Sequence, residues 1–277
     1  MKKIWLITLI LLSSCSHRQQ AELVSTTPIT CSDYFLVILT SARQIDYSNN
    51  QAFFRTLTKH PSDGTKNCDV GHAWIYLHGK MEGQCAYLEG GHSGELGTIQ
   101  PTYFQGIVER CQSNDPNPAK YLWAIQKDGF FQEGSGGHRP TFAAKVNLSP
   151  EQFHEIMQYI QNYNFQEYSI VRSQCSTFVT EIAEIAGLTL EHRQTMYIDP
   201  ILKCGRERYR LWNDPKYSCI RFSSPDVIEK SLKCEVSSGQ AEYALPWYRK
   251  NRPQPKRNLW RDIVMFPERL ARHWMFR

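Results

Sequence analysis

Three stretches of this chain predict an α+β fold, with strands coming first and a late helix packed against them. Gly71-His72-Ala73-Trp74-Ile75-Tyr76-Leu77 reads as a buried strand, and Cys85-Ala86-Tyr87-Leu88-Glu89 resumes strand character after a turn-rich connection, so 72–89 predicts a β-hairpin. Leu148-Ser149-Pro150-Glu151-Gln152 is a helix-start signal: Ser149 can cap and Pro150 fits the first turn. From Gln174-Cys175-Ser176 onward, apolar residues at 178, 179, 182, 185 and 186 keep helical spacing, and Gly187 is placed to end the helix.

The remaining elements follow in order. Tyr34 to Leu39 is an unbroken apolar run, either a buried strand or the start of a helix. Residues 49–60 suit a short amphipathic helix. Tyr121 to Ile125 and Ala143 to Leu148 are further strand candidates, and the helix opened by Ser149 runs to about Asn162. Residues 190–245 mix signals and assign to no clear element. With 41% hydrophobic and 12% aromatic residues the chain can fill a core, and its 277 residues suit one large domain with elaborations.

The N-terminus sets the expected location. Lys2 and Lys3 precede an apolar run from Ile4 to Leu12, shorter than the roughly 18 residues of a membrane span. Leu12-Ser13-Ser14-Cys15 then resembles a bacterial lipobox, in which the cysteine takes the lipid. The expected organisation is a signal peptide over 1–14, lipid on Cys15, a polar tether over 15–30, a domain over 31–240 and a basic, aromatic tail over 241–277. Ser16 after the lipidated position points to the outer membrane of a bacterial cell envelope.

Eight cysteines remain after Cys15, and an exported protein can oxidise them. If Cys175 is a nucleophile, seven are left, so at least one stays unpaired; a disulfide at Cys175 is the alternative. From Pro246 onward nine Lys/Arg stand against two acids, interleaved with Trp247, Tyr248, Trp260, Phe266, Trp274 and Phe276. That suits an anionic membrane surface or, equally, a tail packed on the domain with a solvated basic face. Nucleic acid is set aside as a partner for an exported lipoprotein.

A thiol in the first turn of a helix meets N–H groups and the positive end of the helix dipole, which favour thiolate. A histidine near the start of a strand could complete a Cys–His pair, with a third polar group orienting the imidazole. Cys175 is thus the candidate nucleophile and His72 the candidate general base and acid. Glu89 is the favoured orienting group, since the neighbouring strand can bring it beside His72, and His92, past Gly90-Gly91, is the alternate.

Gly71-His72-Ala73-Trp74-Ile75-Tyr76-Leu77, then Ala86-Tyr87-Leu88-Glu89, then Gln174-Cys175-Ser176-Thr177-Phe178-Val179 resembles the NlpC/P60 superfamily of papain-like peptidases. Usual members place Cys before His; the order here resembles the circularly permuted branch, which includes YiiX/YaeF-like and lecithin:retinol acyltransferase-like proteins. The resemblance covers about residues 70–190. It implies an antiparallel sheet with the cysteine helix packed on it, and a site made of His72, Glu89 and Cys175. It also implies cleavage of amide bonds in cell-wall peptides, or of ester and amide bonds in lipids, through an acyl-enzyme and with no cofactor. Peptidoglycan stem peptide is the first choice of substrate, a lipid acyl group the second, and a non-catalytic binding or assembly lipoprotein with a structural Cys175 the other reading.

Three rivals are weaker. Gly91-His92-Ser93-Gly94-Glu95 begins like a lipase nucleophile elbow, but Glu95 stands where the last glycine belongs. Cys68, His72, His78, Cys85 and His92 are zinc-ligand types at spacings that match no compact zinc template, so no metal is expected. Gly134-Ser135-Gly136-Gly137 reads as a flexible loop near the site, since no Lys-Ser/Thr follows to make a phosphate cradle.

Overall fold

A computed structural model describes residues 33–57, 70–94, 101–204 and 206–252. The expected signal peptide, Cys15, the whole tether, Cys31, Cys68 and residues 253–277 lie outside them. In chain order the first elements are β1 (Phe35–Ser41), α1 (Asn50–Leu57), β2 (His72–Met81), β3 (Gln84–Ser93) and α2 (Pro101–Gln112). Then come β4 (Phe130–Glu133), β5 (Phe142–Asn147), α3 (Pro150–Asn162), α4 (Cys175–Ile185) and β6 (Arg193–Tyr197). The chain closes with β7 (Ile201–Cys204), β8 (Glu207–Arg210), β9 (Cys219–Ser223), α5 (Pro225–Ser237), β10 (Glu242–Tyr243) and α6 (Leu245–Asn251).

The architecture is α+β, built on a six-stranded sheet in the order β10-β5-β1-β2-β3-β4. Every neighbouring pair runs antiparallel. β1 is buried along its whole length, and β2 from His72 to Gly79, so both carry apolar side chains on both faces. Alternation then sorts those side chains into two layers. Leu36, Ile38, Ala73, Ile75 and Leu77 pack against Phe153 and Ile156 of α3, Phe178, Val179 and Ile182 of α4, and Ile228 and Leu232 of α5. Phe35, Val37, Leu39, Trp74 and Tyr76 pack on the other face against Leu245, Trp247 and Tyr248. A third cluster, including Tyr47, Phe53, Ile198, Ile220 and Phe222, fills the space beneath the β6–β9 pair.

Local chemistry explains the helices. Ser149 caps α3 in a reciprocal capping box with Gln152, above Pro150 in the first turn. Gly187 follows α4 with φ +87°, the left-handed conformation that ends a helix without a Cβ penalty. Ser224 caps α5 by accepting from the Asp226 N–H, again with proline in the first turn. Within α5, the buried Glu229 carboxylate accepts from Thr40 on β1 and from Thr141 beside β5, and Lys233 pairs with it at 2.7 Å.

Two expectations change. Tyr121 to Ile125 is not a strand: Pro118–Trp123 forms a 3-10 segment with its proline in the first turn, and Leu122 and Trp123 pack on the third cluster. A five-residue apolar run carries no period, so tertiary packing decided its backbone. The boundary expected at 241 also moves, because Glu242 and Tyr243 pair with Lys145 and Ala144 as an edge strand. α6 then buries Leu245, Trp247 and Tyr248 on the sheet. Among the described residues no helix is long and apolar enough to cross a membrane.

Phe178 is fully buried among the rings of Tyr159, Tyr163 and Phe165. Phe178→Ala should therefore lower unfolding stability by about 3–5 kcal/mol, read as a reduced urea midpoint at unchanged slope.

Candidate functional site

Cys175 is the first residue of α4, 5% exposed, and carries a thiol rather than a disulfide. Among the described cysteines Cys85 is held in a disulfide, whereas Cys111, Cys219 and Cys234 carry thiols. Gln174 caps the helix. Its Oε1 accepts from the Ser176 N–H at 2.8 Å and from the Cys175 Sγ–H at 3.3 Å, while its Nε2 donates to the Ser223 carbonyl at 2.6 Å. This bidentate glutamine fixes the thiol relative to β9.

Three phenols stand within electrostatic reach of Cys175: Tyr47, Tyr163 and Tyr168. Burial is the main cause that pushes the Tyr163 hydroxyl up to about 12, and it raises those of Tyr47 and Tyr168 as well. All three stay neutral at ordinary pH and act as dipoles rather than charges.

His72 begins β2 and is buried. Gly71 before it holds φ +93°, and a Cβ there would lie 2.2 Å from the Ser41 carbonyl oxygen, so the turn that delivers His72 needs glycine. His72 pairs in register with Ser41 at the end of β1. Its ring stacks on Trp74 at 5.6 Å and on His138 at 4.9 Å between centroids. Arg43 Nη2 lies 3.3 Å from His138 Nδ1.

A chain of contacts places Cys175 and His72 at the same end of the sheet. Gln174, beside Cys175, bonds to the Ser223 carbonyl, and the Tyr47 hydroxyl bonds to the adjoining Ser224 and to Asp226. The Asp226 carboxylate accepts from the backbone N–H groups of Arg43, Gln44 and Ile45 at 2.6, 3.0 and 3.0 Å. Arg43 touches His138, which stacks on His72. Burial outweighs these donors and raises the Asp226 carboxyl above its usual range. α4 packs on the Ala73 and Ile75 face of β2, and Trp74 belongs to the opposite layer. A meeting of thiol and imidazole would therefore occur at the rim of the sheet, around the start of β2.

Glu89 lies opposite Tyr76, not opposite His72. Its Oε1 accepts from Trp74 Nε1 at 3.3 Å and from the Tyr248 hydroxyl, and Arg252 Nε lies 3.3 Å away as an ion pair. Glu89 is thus linked to His72 through Trp74, and it also anchors the C-terminal segment. Continuing the β2–β3 register sets Ser93 opposite His72, and Ser93 Oγ donates to its neighbour Gly94.

His92 lies on the helix-facing side, fully buried. Its Nε2 is 3.1 Å from the Phe165 carbonyl and its Nδ1 3.1 Å from the Tyr163 hydroxyl. The carbonyl can only accept, so Nε2 carries the proton and Nδ1 accepts from Tyr163. Both ring nitrogens are then engaged away from His72. Burial lowers the His92 pKa to about 4, so the ring is neutral. His78 Nδ1 sits 3.0 Å from the Asp33 carbonyl oxygen, and its ring stacks on Phe35. Among the described residues no group of three or more His, Cys, Asp or Glu is arranged to hold a metal ion.

Sequence reading missed His138, Arg43, Asp226 and Tyr47. His138 follows the Gly134–Gly137 loop, whose glycines 134, 136 and 137 all hold positive φ, and that glycine cluster was its one available signal. Comparison with protein-family models, with curated proteins and with solved structures finds no match.

The His92 shift gives a pH dependence with a definite sign. Its folded pKa of about 4 lies below the ordinary value of 6.5. The unfolded chain therefore binds the extra proton between those values. The stability His92 contributes is complete above pH 6.5 and is lost as pH falls toward 4. That loss should amount to about 2–3 kcal/mol. In His92→Gln the difference in unfolding free energy between pH 7 and pH 4.5 should shrink by about that amount, measured by urea titration at both values.

Proposed function

We propose that the chain is an extracytoplasmic lipoprotein with thiol hydrolase activity, on a permuted papain-like scaffold of the NlpC/P60 type. The observation that carries this reading is the reduced, buried Cys175 at the first position of α4, capped by Gln174 at the end of the sheet where His72 begins β2. The helix start favours thiolate. His72 takes the thiol proton, and the Cys175 sulfur attacks the carbonyl carbon of an amide bond. Backbone N–H groups at the start of α4 hold the oxyanion, His72 returns the proton to the leaving amine, and water releases the acid from the acyl-enzyme.

Peptidoglycan stem peptide is the substrate this reading favours, because a lipid on Cys15 holds the enzyme beside the wall. A lipid acyl group is the second candidate, favoured by the nine Lys/Arg and the aromatic residues from Pro246 onward. The proposed location is the bacterial cell envelope, at the outer membrane. There Cys15→Ala should move the protein from the membrane pellet to the soluble fraction.

The deciding measurement is the pH dependence of Cys175 alkylation, followed by mass spectrometry of its peptide in the full chain held in detergent. Fast alkylation is expected, with an apparent pKa well below the ordinary thiol value of about 8.5, and His72→Ala should abolish that low-pH reactivity. A slow thiol with ordinary pH dependence, insensitive to His72→Ala, would give the protein a binding or assembly role with a structural Cys175.

A further inference from the structure

We propose that His138 is the positioning residue for His72: a neutral imidazole, its tautomer set by Arg43, on which the His72 ring stacks. The claim about the ring pair stands on geometry, and its consequence at Cys175 rests on the thiol–imidazole reading above.

The two rings lie 4.9 Å apart between centroids with planes 28° from parallel, and Trp74 stacks on His72 at 5.6 Å and 14°. Arg43 Nη2 sits 3.3 Å from His138 Nδ1. A guanidinium has donors and no acceptor, so Nδ1 must accept, and the ring proton of His138 resides on Nε2. A second proton on Nδ1 would face a fixed cation, which holds His138 neutral. Neither partner is loose. Arg43 and His138 are both buried, the Arg43 backbone N–H bonds to Asp226, and the His138 N–H donates to the Ser135 carbonyl at 3.0 Å.

A neutral aromatic face attracts a cation stacked on it. When the Cys175 S–H bond breaks and the proton forms an N–H bond on His72, the products are a thiolate and an imidazolium. His138 and Trp74 then supply two neutral ring faces to that imidazolium, and neutrality at His138 is what makes the stack attractive.

Other charged groups surround the pair. Glu89 stands behind Trp74 with Arg252 paired to it, and Arg252 also reaches Ser135. Asp226 lies under the Arg43 backbone. Glu229 and Lys233 sit beside Thr141, and Arg249 Nη2 lies 3.5 Å from the Pro140 carbonyl.

The test combines two readouts on the full chain in detergent. Imidazole nitrogen NMR of the wild type should show His138 protonated on Nε2 and bare on Nδ1 from pH 8 down to pH 5, while His72 titrates. In Arg43→Met that tautomer preference should disappear. In the second readout, His138→Ala should slow Cys175 alkylation at pH 6 by about fivefold to tenfold, the worth of one partly desolvated cation–ring contact, whereas His138→Phe, which keeps a neutral stacking ring, should restore it. A His138 that takes its second proton before His72 overturns the proposal, as does a folded His138→Phe no faster than His138→Ala. If His72→Ala leaves alkylation unchanged, the hydrolase reading fails instead, and the nitrogen spectra still decide the role of His138.

Discussion

The Asp226 carboxylate is the constraint on which the arrangement of the site depends. It sits in the first turn of α5 and takes three consecutive backbone N–H groups from the segment that leaves β1. Arg43 and Ile45 are buried, so without an acceptor their N–H groups would each carry a desolvation cost. The Tyr47 hydroxyl adds a fourth bond and connects the same carboxylate to the surroundings of Cys175. The path of residues 43–45 therefore follows from where α5 sits, and α5 is in turn held to the sheet by Glu229, Thr40 and Thr141. Arg43, and through it the His138 ring that stacks on His72, inherit their positions from that carboxylate.

A second constraint comes from burying β1 and β2 on both faces. Interior strands with apolar side chains above and below leave little room for polar groups except at the strand ends. The polar residues at this rim comply: His72 starts β2, Cys175 starts α4, and Arg43 and His138 lie in the connections. Polar groups farther along the sheet are consumed in fixed bonds. His92 is locked by Tyr163 and Phe165, and Glu89 by Trp74, Tyr248 and Arg252.

The match between residue pattern and structure was best where a local rule operates within a few residues. The hairpin over β2 and β3, strand β5, and the starts of α3 and α4 follow from turn signals, helical spacing or a capping residue beside proline, whereas the unbroken apolar run of β1 suited a strand and a helix alike. α5 carries the same Ser-Pro signal, and α2 opens on Pro101, yet neither was assigned, because their surroundings mix short apolar runs with charge. Tyr121 to Ile125 failed for the opposite reason: five apolar residues without a period suit a strand and a 3-10 turn equally.

Side-chain direction explains the rest. The order of residues determined that Cys175 opens a helix and His72 a strand, because capping and periodicity act between near neighbours. It also determined the α+β class and the concentration of positive charge after Pro246. Tertiary structure alone decided that Glu89 faces Tyr248 and Arg252, that His92 turns toward the helices, and that His138 and Arg43 gather at His72. The Glu89–Tyr248 contact alone joins residues 159 positions apart. They depend on which face of a strand a side chain occupies and on which loop closes over its end, and both are fixed when the layers pack.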